Sequence, residues 1–412
     1  MKEEYDVIVI GGGASGMMAA GRAADRGKRV LLLERNTRLG EKLRISGGGR
    51  CNIFNAEPDV RKLLKHYGAA EPFLYSAFAT FGVKETKAFF ESLELPTVVE
   101  TRQRAFPVSQ KAADVVGALE RCLESGGVEI RTGTRIRTLE SSEGKVARVV
   151  AGQKAYSAGT YILATGGRSH PETGSTGDGF GWLRALGHTV SDPTPTIVPL
   201  KVREKWVRDV SGVTAKACRI TFTIDGKRRL ARKGDVLFTH FGISGPTVLN
   251  AASAVADLLQ EGPVEAHIDL FPGEDLGPLD QRITTHFDAH KNKLLRNVFK
   301  DLVPGGMADA LLSRASGIDP EKKVHSVLRE ERRALAALLK DVLLTIDGLM
   351  GFDRAVVADG GVALAEVDTR TMRSKKAENL LITGDLLNIR RPSGGYSLQL
   401  CWTTGFLAGE NA

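Results

Sequence analysis

Tyr5-Asp6-Val7-Ile8-Val9-Ile10-Gly11-Gly12-Gly13-Ala14-Ser15-Gly16 is an apolar strand that runs straight into a G-x-G-x-x-G. The pattern stands between a strand and a helix, where a dinucleotide-binding turn must stand. Gly11 allows the tight turn, Gly13 admits a pyrophosphate to the backbone, and Gly16 lets the helix pack close to the strand. The amides at that helix start then face phosphate, with the helix dipole favouring negative charge. Ala14 to Arg26 reads as the helix, closed by Gly27. A second strand, Arg29 to Leu33, delivers Glu34, whose carboxylate can accept both hydroxyls of a ribose. These features together imply an ADP-containing cofactor.

At 412 residues the chain suggests two or three domains, and 42% hydrophobic residues suit a globular protein with a substantial core. No stretch of about 18 apolar residues offers a membrane span. The acidic start enters the first strand without a secretory signal, so a cytoplasmic location is expected. Cys51, Cys122, Cys218 and Cys401 are widely spaced, which argues against disulfides, zinc clusters and a dithiol centre. No metal site is expected.

The net charge of +8 is concentrated. Lys201 to Lys233 holds eleven basic residues against Glu204, Asp209 and Asp225, which equals the excess of the whole chain. Such a run is either a solvated β-surface or a polyanion-recognising face, and RNA is the polyanion considered.

The fold class expected is α/β, with residues 1–192 and 348–412 forming one discontinuous domain and 193–347 inserted into it. Within 1–192, helix is expected over Val115–Glu124, and strands over Val128–Arg131, Thr134–Leu139, Val146–Val150 and Tyr161–Ala164. Pro193, Pro195 and Pro199 mark the crossing into the insertion. Residues 193–270 read as β-rich, with strands Arg219–Ile224 and Asp235–Thr239 and a turn at Asp225-Gly226. Residues 271–347 read as helical, and Ser397–Gly409 as the last helix.

The glycine fingerprint does not distinguish NAD from FAD; the end of the chain does. Leu380-Leu381-Ile382-Thr383-Gly384-Asp385 is a strand ending in a carboxylate, followed by Gly394-Gly395-Tyr396-Ser397 at a helix start. The carboxylate can hold a ribityl hydroxyl, which a nicotinamide dinucleotide lacks. The helix start can direct amides at the N1–C2=O edge of a flavin. A further glycine run, Ser46-Gly47-Gly48-Gly49-Arg50-Cys51-Asn52, can pass close to a ring or diphosphate, with Lys42 and Arg50 available to phosphates.

Ser46–Asn52, Ala164–Gly167 continuing through Ser169–Gly179, Thr239–Pro246 and Gly394–Ser397 together resemble the YhiN-like (BaiN/RdsA) flavoprotein family, also labelled NAD(P)/FAD-dependent oxidoreductase or aminoacetone oxidase-like. The resemblance runs from the first strand to the last helix. It implies a glutathione-reductase-type FAD-binding Rossmann-like domain, interrupted by an insertion with a β-rich part and a helical part. The FAD contacts it implies are Gly11, Gly13, Ala14, Ser15, Glu34, Arg35, Lys42, Arg50, Asn52, Ile136, Thr165, Gly166, Asp385, Gly395, Tyr396 and Ser397. Three positions depart from the family pattern: Asp385 stands where Glu is common, Asn388 where Asp is common, and Ser397 where Asn is common.

Flavin carries the redox chemistry, so the protein supplies binding, orientation and a proton. Cys51, beside the glycine run, is either that acid or a small buried residue. His240, in Thr239–Pro246, is either a donor reaching from the insertion or a structural histidine. No second glycine fingerprint exists for a resident nicotinamide, so NAD(P)H is expected only as a transient electron donor. The resemblance implies a reductase that passes hydride to an activated double bond, with a uridine of ribosomal RNA as the leading substrate. A small-molecule oxidoreductase (enone reductase or amine oxidase) and a non-enzymatic flavin-binding RNA factor are the alternatives.

Overall fold

The structure is a computed structural model that describes residues 5–412; residues 1–4, assigned above to the first domain, lie outside the described residues. Tyr5–Ile10 (β1), Ala14–Asp25 (α1), Val30–Leu33 (β2), Ala112–Ser125 (α2), Glu129–Arg131 (β3), Ala158–Leu163 (β4), Leu380–Ile382 (β5) and Tyr396–Glu410 (α3) build the frame of the first unit. Its sheet runs β5-β4-β1-β2-β3, with every pair parallel. Val7 to Ile10, Leu31 to Leu33 and Tyr161 to Leu163 are buried because helices cover such a sheet on both faces. That demand explains the unbroken apolar runs in the sequence. The sheet reverses direction in sequence order at β1, and the carboxyl ends around such a switch point form a ligand crevice.

Two compact units result: 5–195 with 356–412, and 196–355. The second contains a closed six-stranded barrel, in the order Leu200–Val202, Gly242–Ser244, Lys227–Thr239, Thr214–Ile224, Val264–Asp269 and Val342–Leu349. All its pairings are antiparallel, so it is not a second nicotinamide-binding Rossmann unit. Cys218, Ile220, Phe222, Val236, Phe238 and Ile268 fill its core, joined by Val248, Ala251 and Val255 of the helix Pro246–Glu261.

Three sequence expectations change. Thr134–Arg137 is not strand; the strand begins at Thr138, because Gly133 and Thr134 donate instead to the carbonyls of Asn36 and Glu34. The basic run Lys227–Gly234 is strand, continuous with Asp235–Thr239, since pairing with Thr214–Ile224 satisfies its backbone whatever its side chains. Residues 342–347, read as helical, are strand, and Val342–Leu349 closes the barrel by pairing with Leu200–Val202 and Val264–Asp269. The units accordingly meet at 195/196 and 355/356, not at 192/193 and 347/348.

Candidate FAD site

The carboxyl end of β1 leads into the glycine turn. Gly11 has φ +108°, and a Cβ there would lie 2.4 Å from the carbonyl oxygen of Ala164. A Cβ on Gly16 would lie 1.8 Å from the Gly11 oxygen, which shows how closely α1 approaches the turn. Around Gly13 the geometry is opposite: a Cβ would meet nothing within 4 Å. Gly13 is the residue preceding α1, and the first amides of that helix, Ala14 and Ser15 included, have no intrahelical acceptor. Open space faces free N–H groups there, as a pyrophosphate requires.

Glu34 ends β2 and is only 7% exposed. Its carboxylate accepts from the Gly12 amide at 2.6 Å and the Asn36 amide at 2.8 Å. Burial holds this carboxyl above its ordinary range, against the pull of those amides and the charge of Arg35. Arg35 itself donates to Thr176 Oγ1 at 2.6 Å and pairs with Asp178 at 3.1 Å, so it fixes the 174–178 segment. Ile136 is buried and lines a cleft of about 630 Å³ with Arg135, Arg137, Asp178, Trp182 and Arg184. Replacing Glu34 by Ala is expected to weaken FAD binding by about 1.5–3 kcal/mol, the cost of removing a charge-assisted hydrogen bond. A fluorescence titration of apo-protein with FAD measures it, and an unchanged Kd would assign the ribose to another residue.

Past β4 come Thr165 and Gly166. Thr165 Oγ1 is buried without a hydrogen-bond partner among the described residues. Buried hydroxyls are rarely left so, and the polar edge of a cofactor held there would supply the missing partner. Past β5, Asp385 lies between two cations. Lys42 Nζ reaches it at 3.1 Å and Ser169 at 2.6 Å, and Arg391 binds its other oxygen. Burial opposes the ionisation of Asp385, but the charges of Lys42 and Arg391 outweigh it and hold the carboxyl below its usual range. At the start of α3, Gly395 has φ +99° and would drive a Cβ to 2.3 Å from the Phe54 carbonyl carbon. Its amide donates to the Asn52 side chain at 2.9 Å. Tyr396 accepts from Tyr67 through its carbonyl oxygen, and Ser397 accepts from Arg391.

The four strand ends and two helix starts of one unit, with Lys42 from the short helix Glu41–Ile45, therefore assemble Gly11, Gly13, Ala14, Ser15, Glu34, Lys42, Thr165, Gly166, Asp385, Gly395, Tyr396 and Ser397. Two expected residues behave differently. Arg50 is bound by Glu100 and Gln110 and stacks on Phe106 at 4.0 Å, so Glu100 neutralises it and it brings no free cation to phosphate. Cys51 is wholly buried, and burial pushes its thiol up to about 12. It therefore stays a neutral, protonated and fully packed thiol. His240 is exposed at the turn between the barrel strands Lys227–Thr239 and Gly242–Ser244, its ring 4.8 Å from that of Phe241. Arg391 escaped the sequence reading; the Arg390-Arg391 pair just before Gly394 was its one signal.

The residues present fit FAD: open space at Gly13, an orphaned hydroxyl at Thr165, a buried ribose acceptor and a carboxylate at β5. The model of the HI0933-like protein Rossmann domain matches residues 5–411. The chain belongs to this family. It is 34% identical to a 3-dehydro-bile acid delta(4,6)-reductase of Clostridium scindens, over 98% of both chains. It is 26% identical to the ribosomal RNA dihydrouridine synthase of Escherichia coli, over 99% of this chain and 98% of that one. Among solved structures, the 3-ketosteroid delta1-dehydrogenase of Sterolibacterium denitrificans superposes with a TM-score of 0.56 at 14% identity, over 98% of each chain. That similarity shows a shared fold. Like the family, this protein is an FAD-dependent oxidoreductase. None of its described helices is long and apolar enough to cross a membrane, and no described cluster of side chains could hold a metal ion.

Proposed function

We propose that this protein is a conjugate reductase acting on a uridine of ribosomal RNA. FAD, once reduced, supplies a hydride equivalent to the carbon of a double bond conjugated with a carbonyl. Saturation then needs one proton at the neighbouring carbon. The bile acid reductase and the dihydrouridine synthase both carry names that describe this bond change, the saturation of an activated C=C.

The observation that carries the choice of RNA is the barrel strand Lys227–Thr239. Lys227, Arg228, Arg229, Arg232 and Lys233 are all exposed on it, and among the described residues only Arg229 of these is ion-paired, with Glu261. Arg219 stands directly opposite Lys233 in the antiparallel pair. A single-carboxylate steroid has no use for such a strand.

The identity to the bile acid reductase favours a second reading, reduction of a small enone. One comparison separates them. Nucleoside digests of ribosomal RNA from deletion cells are expected to lose one dihydrouridine that the wild-type gene restores. An unchanged digest, together with turnover of a 3-keto-4-ene steroid acid by the pure protein, would overturn the RNA reading.

A further inference from the structure

Asp385 and Ser397, one past β5 and the other in the first turn of α3, touch one side chain. Arg391 binds the Asp385 carboxylate, donates through Nε to Ser397 Oγ at 3.1 Å, and donates to the Ile389 carbonyl at 2.6 Å. The side chain is 1% exposed. A guanidinium has five N–H groups, so these three bonds leave two without an acceptor among the described residues. A buried cation with unsatisfied donors is costly unless something of negative character meets it.

The local charge is unbalanced as well. Lys42 and Arg391 share the single carboxylate of Asp385. The other titratable groups facing Arg391 are Tyr67 and Cys401, which burial keeps neutral, Cys401 being pushed up to about 12. One positive charge is thus left over in a low-dielectric setting, beside the first residues of α3. The helix dipole places further positive potential at the same point.

We propose that Arg391 is an electrostatic positioning residue: it supplies the uncompensated charge at the junction of β5 and α3 that favours the reduced, anionic flavin over the oxidised, neutral one. Two electrons and one proton convert the neutral ring to that anion, so a fixed cation nearby raises the reduction potential. Asp385 and Ser397 are then the partners that seat the guanidinium. The inference rests on the FAD reading above and fails separately from it.

The test uses the FAD-loaded full chain. The midpoint potential is measured by slow reduction against a reference dye, and sulfite affinity alongside it, because sulfite adds to oxidised flavin to give an anion. In Arg391→Met the preference for reduced over oxidised flavin is expected to fall at least about tenfold, which lowers the two-electron midpoint by about 30 mV. Sulfite is expected to bind correspondingly more weakly. Arg391→Lys, which keeps the charge, is expected to recover most of both shifts, whereas a purely structural role would not sort the two variants by charge. Full FAD content in Arg391→Met with wild-type potential and sulfite affinity would overturn the proposal. So would loss of FAD from both variants, which would make the residue a folding element. A wild-type protein that takes up no FAD would instead overturn the cofactor assignment.

Discussion

Replacing Gly13 by Val is expected to leave the stability of the apo-protein unchanged and to abolish FAD binding, whereas Gly16→Ala is expected to damage both. The contrast follows from two neighbouring glycines with opposite surroundings. A side chain at Gly13 enters empty space, and its φ of −83° is open to any residue. Nothing in the apo-protein resists it. The space it fills is that above the free amides of α1, so a pyrophosphate can no longer approach them. A loss beyond about 100-fold, or roughly 3 kcal/mol, is expected. At Gly16 the added methyl stands 1.8 Å from the Gly11 carbonyl oxygen, a backbone atom that cannot rotate away. Overpacking of this kind costs about 1–3 kcal/mol or more, and near 2–4 °C per kcal/mol for a unit of this size. Thermal unfolding of the two apo-variants and their FAD titrations decide the matter. A destabilised apo Gly13→Val would show that the glycine serves packing, and retained FAD affinity in that variant would move the pyrophosphate elsewhere.

Neutralising Lys227, Arg228, Arg232 and Lys233 together is expected to cost most of the affinity for RNA while leaving FAD content intact. These four carry no ion pair among the described residues, and they lie on a strand of the inserted unit, whose apolar core is its own. Every phosphate of single-stranded RNA that the protein no longer neutralises lowers the slope of log K against log salt by about 0.7, so with four charges removed the slope is expected to shrink by close to 3. Binding of a ribosomal RNA fragment at several salt concentrations measures it. Wild-type slope and full RNA reduction in the variant would show that the strand is a solvated surface. Normal turnover of a small enone with no RNA affinity in either protein would favour the second reading.

Local order along the chain made the nucleotide-binding half legible. Tyr5 to Gly16, the helix after it and Glu34 at the end of β2 follow one another within a single β-α-β unit, where spacing along the sequence fixes spacing in space. The Asp225-Gly226 turn was legible for the same reason: both residues adopt positive φ, at 51° and 71°, as a two-residue hairpin turn demands. Strand identity was obscured where charge masked it. Lys227–Lys233 lacks apolar alternation, and only pairing with Thr214–Ile224 makes it a strand. Val342–Leu349 followed a charged helix and looked like its continuation until barrel closure required a last strand.

The sequence by itself determined the fold class, the cofactor class and the residues at the strand ends, because each is written in a contiguous motif whose chemistry is local. Tertiary structure alone decided how those residues are used. Arg50 and Cys51 sit within the same glycine run as Asn52, yet Glu100 claims the first and burial packs the second as a neutral thiol. Arg391 belongs to no motif, but it is drawn between Asp385 and Ser397. Burial, ion pairing and hydrogen-bond satisfaction depend on what long-range packing brings alongside a side chain. No spacing along the chain encodes that company.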